Sequence, residues 1–241
     1  MKTLLFLLSF LFLHLQVSNA IGQTYQKGAL LYSALLSENS DTAGWKMEGA
    51  GKAEFSKGWM QLFSPDEKGN LVFWCPQNFP ENFIAEWEVQ NLNTEAGLCI
   101  VFFAAKGLKG EDIFAASLPK RDGTFKNYTK GAINNYHISY YANGKNEPGR
   151  ETAHLRKNKG FHKVQAQQSG IPLHSIAAHK LQLIKQQGRI VFTIDERTVI
   201  DWLDNGQQYG KILEYGKIGF RQMKWTKFAY RNFNVWECLP Q

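Results

Sequence analysis

Two histidines, a tyrosine, an arginine and two asparagines recur at alternate positions of two short segments, Ile133–Tyr141 (INNYHISYY) and Thr152–Asn158 (TAHLRKN). Successive side chains of a β-strand point to opposite faces. If both segments are strands, Asn135, His137, Ser139 and Tyr141 share one face of the first, and Thr152, His154, Arg156 and Asn158 one face of the second. The intervening residues 142–151 are rich in Asn, Gly and Pro, a turn composition. Symmetric pairing about that loop sets Asn135 opposite Asn158, His137 opposite Arg156, Ser139 opposite His154 and Tyr141 opposite Thr152. A slip of one residue would scatter the set. A solvated strand face ordinarily carries Lys, Glu and Thr. This one carries donors that hold an anion and groups that exchange a proton near neutral pH. We expect His137, His154 and Tyr141 as proton-transfer groups and Asn135, Ser139, Arg156 and Asn158 as ligand-binding groups. Arg221, which alternates away from Ile218 and Phe220 in GKIGFRQM, is expected to reach the same surface.

The charge distribution fits an anionic ligand. The 241-residue chain has 28 Lys and Arg against 21 Asp and Glu. Lys145, Arg150, Arg156, Lys157, Lys159 and Lys163 cluster around the second segment, opposed only by Glu147 and Glu151. A cationic groove raises the local concentration of anions. The basicity is too modest to indicate nucleic acid. Glu86 and Glu88, two apart in FIAEWEVQ, sit roughly 6.5–7 Å apart on a strand and have the spacing of a glycosidase pair, although exposed acids of a surface strand account for them as well, and the glucanase signature E-x-D-x-x-E is absent. No P-loop, dinucleotide fingerprint, nucleophile elbow or HExxH motif occurs. Cys75, Cys99 and Cys238 are too far apart for a metal site, although one disulfide between two of them is compatible with export. No cofactor is expected. Asp195 and Asp201, flanking a hairpin, offer carboxylates for a structural calcium, but acids are ordinary in turns.

The elements that must position these residues read as strands nearly throughout. Gly69–Cys75, Phe83–Gln90, Gly97–Ala104, His179–Lys185, Arg189–Ile194, Thr198–Trp202, Gly216–Met223 and Phe228–Trp236 are β-favouring runs bounded by Gly, Asn and Asp. Only Ile113–Leu118 allows a helical turn or two. The spacing predicts an all-β sandwich of about twelve strands in one domain over residues 21–241. Trp87 shares a face with Phe83, Ala85 and Val89 and is assigned to the core, whereas Trp59, Trp74 and Trp225 are unassigned. Residues 1–20 read as a secretory signal peptide: Lys2, an apolar run from Leu4 to Leu13, and Ser18 and Ala20 before the cut. The apolar run is too short to span a bilayer. The mature chain is therefore expected outside the cytoplasm, periplasmic or secreted, without membrane insertion.

The succession of two hairpins, ID-x-x-x-V-I-D-W and then GKIGFR resembles the concanavalin A-like lectin/glucanase jelly roll, two stacked antiparallel sheets. The stretch from Tyr136 to Phe161, with GKIGFRQM at 216–223 and YRNFNVW at 230–236, resembles the YesU-like family of carbohydrate-associated β-sandwich proteins. That resemblance implies a carbon–oxygen lyase or dehydratase acting on uronate-containing oligosaccharides of pectin or ulvan type. The face described above has the parts for β-elimination: an arginine and asparagines to neutralise the carboxylate, a histidine to take the C5 proton, and a tyrosine to protonate the oxygen leaving C4. A non-catalytic carbohydrate-binding module and a glycoside hydrolase built on Glu86 and Glu88 stand as alternatives, because this fold hosts many functions.

Overall fold

The computed structural model of the protein describes residues 25–67, 69–145 and 148–239. The signal peptide expected over residues 1–20 lies outside them. Among the described residues, no helix is long and apolar enough to cross a membrane.

Alternating apolar residues produce the strands. They are β1 (Gln26–Ala34), β2 (Lys46–Gly49), β3 (Lys52–Ser56), β4 (Trp59–Phe63), β5 (Leu71–Phe79), β6 (Phe83–Asn91), β7 (Gly97–Gly107), β8 (Ile133–Asn143), β9 (His154–Asn158), β10 (His162–Gln165), β11 (Ala178–Gln186), β12 (Arg189–Ile194), β13 (Arg197–Leu203), β14 (Gly216–Gln222) and β15 (Lys227–Leu239). A one-turn helix, α1 (Phe125–Thr129), is the only α-helix among the described residues, and 113–118 is not helical. All ladders are antiparallel. One sheet, A, runs β13-β12-β11-β6-β15-β4-β3 with β1 also on β15, and the other, B, runs β10-β9-β8-β7-β14-β5-β2. This is the two-sheet sandwich that the spacing of apolar runs predicts.

The inner faces of the two sheets form one large core. Trp87, as expected, is buried there with Phe83, Phe192, Phe220 and Phe233. A second, smaller apolar cluster lies on the outer face of sheet B. There the connection between β7 and β8 folds back, so that Ile113, Phe114, Leu118, Phe125 and Tyr128 cover Val72, Trp74, Ile100, Phe102 and Ala105. Trp74 stacks on Phe102 at 5.7 Å, and its Nε1 donates to Glu48 Oε2 at 3.0 Å. Glu48 also receives Arg121 Nη2 at 2.6 Å, which pins the connection to the sheet. Burial of aromatics of this size stabilises by about 1.5–3 kcal/mol each. Gly219 in GKIGFR sits opposite Trp74, and a Cβ there would lie 2.3 Å from the indole. The glycine is required by the indole lying across it.

Among the described residues, Cys75, Cys99 and Cys238 are all buried free thiols. The possible disulfide is not formed. Burial pushes the Cys75 thiol up to about 12 and that of Cys99 higher still, so neither is a nucleophile.

Candidate functional site

Registers across sheet B bring the chemistry-bearing residues into two transverse rows. Val72, Arg221, Ile100, Ser139 and His154 form one row, and Trp74, Gly219, Phe102, His137 and Arg156 the next. With strands about 4.8 Å apart, the Cα atoms of Arg221 and His154 stand roughly 14 Å from each other across the row. The expected pairs Asn135 with Asn158, His137 with Arg156 and Ser139 with His154 are those of the structure. All six share the outer face of sheet B. Leu155 points into the main core.

Tyr141 does not join them. Ser139 pairs with Ile100 and Tyr141 with Cys99, so β8 carries one extra residue, Tyr140, against β7. Such a bulge reverses the alternation. Tyr140 and Tyr141 both belong to the main core. The Tyr141 hydroxyl accepts from Asn91 Nδ2 at 3.1 Å, and its ring packs on Phe228. Thr152 bridges to Ser169 rather than to Tyr141, and Ala142 to Arg150. The expectation of Tyr141 as the acid on this face is corrected accordingly.

A chain of side-chain hydrogen bonds fixes the state of His137. Asn135 Nδ2 donates to the Tyr128 carbonyl at 2.8 Å, which leaves its Oδ1 to accept from Asn158 Nδ2 at 2.7 Å. The same Asn158 nitrogen lies 2.8 Å from His137 Nδ1. An amide nitrogen only donates, so His137 Nδ1 accepts and its proton is on Nε2. The ring is fully buried among Phe102, Phe125 and Phe161. Burial first, then Arg156 and Arg221, hold it neutral with a pKa well below the usual histidine value. His137 is thus an enclosed hydrogen-bond donor rather than a solvent-facing base.

His154 is the histidine that faces outward. Its Nε2 lies 3.2 Å from Thr152 Oγ1. Burial, then Arg150, Arg156 and Lys163, bring its pKa down to about 4. Arg150, not singled out by the alternation, completes the face. Its Nη2 donates to Ser139 Oγ at 2.6 Å and its Nη1 to the Thr152 carbonyl. It belongs to the loop between β8 and β9, and the basic run around it was its only signal in sequence. Arg156 stacks on Phe161 at 3.8 Å and donates to the Phe161 carbonyl at 3.0 Å. Phe161 holds φ at 62°, a costly value for a bulky residue. Arg221 lies beneath Phe125, its guanidinium 4.4 Å from the ring centre. Among the described residues, none of Arg150, Arg156 and Arg221 pairs with an acid.

Beside Arg150 opens a cavity of about 540 Å³, lined also by Leu98, Asn143, Lys145, Met223 and Trp225. Trp225 is thereby assigned to the surface next to the site, whereas Trp74 is buried beneath the β7–β8 connection. The other basic residues divide. Lys157 points inward and is buried against Asp204 at 2.6 Å, while Lys163 is exposed.

The acidic candidates lie elsewhere. Glu86 and Glu88 are on β6 of sheet A. Glu86 is held by Lys27 at 2.8 Å and by Gln182 at 2.7 Å, and Glu88 by Arg231 at 2.6 Å and Asn232 at 2.8 Å. They share no face with His154, which removes the basis of the hydrolase reading. Asp195 accepts from Lys180 N at 2.8 Å and contacts His179 at 2.6 Å, and Asp201 takes both Nε and Nη2 of Arg189.

Comparison with known proteins agrees with this architecture. A family model described as a domain of unknown function, DUF1961, matches residues 29–235. The chain belongs to this family. It is 38% identical over 218 residues to the uncharacterized protein YesU of Bacillus subtilis (strain 168), covering 89% of this chain and 99% of the relative. A crystal structure of a Bacillus subtilis protein of unknown function with a galectin-like fold superposes with a TM-score of 0.85 at 37% identity, covering 90% of this chain and 100% of that one. More distant in sequence are the carbohydrate-binding module CBM66 from Bacillus subtilis (TM-score 0.54, 14% identity, 80% and 96% covered) and the carbohydrate recognition domain of Emp46p (0.57, 13%, 90% and 100%). The fold is thus a lectin-like jelly-roll sandwich.

Proposed function

We propose that the outer face of sheet B binds anionic, uronate-containing oligosaccharides. The observation that carries this reading is the presence of three arginines on the one face that carries His137, Ser139 and His154, Arg150 and Arg156 beside His154 and Arg221 beside His137, with no acidic partner for any of them among the described residues. Gathering cations without counter-charges is costly unless a ligand supplies the anion. The carbohydrate-binding proteins that share the fold support a sugar as the carrier of that charge, and Trp225 beside Arg150 offers an aromatic surface next to it. The leader expected over residues 1–20 supports an exported setting, where such polysaccharide fragments occur.

On this face His154 is the group for β-elimination. It is neutral above about pH 4, partly exposed, and flanked by arginines that would neutralise the carboxylate next to C5. His154 takes the C5 proton, the C4–O bond breaks as the C4–C5 double bond forms, and the leaving oxygen receives a proton from His154 or solvent. If that oxygen carries a sugar, the reaction is a lyase cleavage; if it leaves as water, a dehydration. The test is to mix the mature protein with pectic, ulvan and alginate oligosaccharides and follow ultraviolet absorbance of the conjugated product. Growth of the chromophore that is lost in His154→Ala is expected. Its absence with all three sugars refutes elimination. The inward turn of Tyr141 favours a second reading, a non-catalytic binding module, because it removes the tyrosine acid from the face. That reading predicts saturable binding with no chromophore and no dependence of any turnover on His154.

A further inference from the structure

Arg221 is the one arginine of this face without any partner. It is 3% exposed, and among the described residues its guanidinium makes no hydrogen bond and no ion pair; its Nε is buried and unsatisfied. What surrounds it is aromatic and neutral: Phe125 packs across the guanidinium at 4.4 Å, and Phe125 in turn lies 5.6 Å from His137 and 5.4 Å from Phe161. Desolvation lowers the Arg221 pKa to about 10, still far above neutrality, so the charge persists. A buried cation with neither counter-ion nor hydrogen bonds is among the least favourable arrangements a fold can hold. A second polar atom close to His137 is in the same condition: both hydrogens of the Asn158 amide are committed to Asn135 and His137, while its acceptor Oδ1 is buried and receives no donor.

We propose that Arg221 is the base of a carboxylate socket, and that its missing counter-charge is the carboxylate of a bound uronosyl residue entering beside Phe125. This assignment rests on the reading of the face as an anionic-sugar site and gives it a different centre. Arg156 is already occupied by the ring and carbonyl of Phe161, and Arg150 by Ser139 and Thr152. Arg156 spends only Nη1 in a hydrogen bond, but its face lies on Phe161; of the three, Arg221 is the one with every N–H uncommitted among the described residues, including the Nε and Nη edge that meets both oxygens of a planar carboxylate. His137, whose proton is held on Nε2 by the Asn135–Asn158 relay, is a donor that stays neutral beside the anion. Asn158 Oδ1 is an acceptor for a sugar hydroxyl. Phe125 and Phe161 exclude water, which strengthens the pairing once it forms. The fold thus tolerates an unfavourable charge in the empty protein that becomes favourable when occupied.

The sign of the stability change tests this. The mature protein with Arg221→Met, Arg221→Lys or Arg150→Ala is compared with the wild type by thermal melting and by calorimetric titration with oligogalacturonate. The fully methyl-esterified oligomer serves as the neutral probe and a carboxyl-reduced, sulfated oligomer as the alternative anion. A methionine of similar length removes an uncompensated charge, so Arg221→Met is expected to raise the melting temperature of the empty protein by about 2–4 °C. It is also expected to weaken oligogalacturonate binding at least about 30-fold, with Arg221→Lys in between. The esterified oligomer should bind weakly to every variant. A lower melting temperature, or failure to fold, in Arg221→Met overturns the proposal, since Arg221 would then be structural. Loss of binding in Arg150→Ala with retention in Arg221→Met also overturns it while leaving the anionic-sugar face intact. Equal Arg221-dependent binding of the sulfated oligomer overturns the carboxylate assignment. No binding of any acidic oligomer by the wild type overturns both readings.

Discussion

The protonation state of His154 decides whether this face can act as a base, and it can be perturbed predictably. Burial is the largest cause of its low pKa, followed by Arg150, Arg156 and Lys163. Arg156→Gln keeps a planar, hydrogen-bonding side chain and deletes one of these charges. His154 and Arg156 are two apart on β9, roughly 7 Å between Cα atoms. Two unit charges at that distance repel by about 1–2 kcal/mol for an effective dielectric constant of about 25–40, suited to a partly exposed pair, which is about one pKa unit. The His154 pKa, about 4 in the wild type, should therefore rise towards 5 in the variant, and stay below 6.5 because burial remains. Titration of the histidine ring signals by NMR measures this directly, and any elimination rate should show its acid limb moving by the same amount. The linkage has a definite sign. The folded pKa lies below the unfolded one, so between about pH 6.5 and 4 the unfolded chain binds more protons and stability falls as the pH drops. In Arg156→Gln the contribution of His154 to that loss becomes smaller. A His154 pKa near 6.5 in the wild type, or one that does not move in the variant, would refute the electrostatic reading of the face.

Three further outcomes follow from the packing. Tyr141→Phe should leave sugar binding and any turnover unchanged while costing about 1 kcal/mol through loss of the Asn91 hydrogen bond; abolished turnover with unchanged stability would restore Tyr141 to the reaction. Asp204 receives Lys157 Nζ at 2.6 Å with both side chains nearly inaccessible, and the Tyr136 hydroxyl as well, so Asp204→Ala should lower urea stability by about 3–5 kcal/mol, and a change under 1 kcal/mol would contradict this. Gly219→Ala places a methyl group 2.3 Å from the Trp74 ring; it should cost about 1–3 kcal/mol and shift the tryptophan fluorescence, whereas a wild-type melting curve would mean that the indole is free to move.

Short-range pattern determined much of this protein. The alternation of β8 and β9 as far as Ser139, and symmetric pairing about a Gly- and Pro-containing loop, place Asn135, His137, Ser139, His154, Arg156 and Asn158 on one face, because strand periodicity is a local property. The sandwich itself follows from repeated apolar runs separated by turns. The hairpin of β3 and β4 is equally local in origin: Ala53 and Phe55 alternate towards Met60 and Leu62 around a two-residue turn, Lys57-Gly58, with both φ angles positive. β1 shows no clean alternation, because it pairs at β15 through two irregular steps and stays largely exposed.

Tertiary structure decided the rest. One bulge opposite Cys99 and Ile100 turned Tyr141 into the core, and a bulge depends on the partner strand rather than on the strand that carries it. The assignment of β6 to sheet A put Glu86 and Glu88 out of reach of His154, since sheet membership depends on pairings between residues far apart in sequence. Arg150 reached the face through a loop whose course no periodicity describes. The folding back of residues 108–132 onto sheet B buried Trp74, enclosed His137 and left Arg221 charged and unpartnered under Phe125. Burial, and with it the protonation of the histidines and the missing counter-charge of an arginine, depends on what packs against a residue from elsewhere in the chain, and so it emerges only when the two sheets and the connection across them are in place.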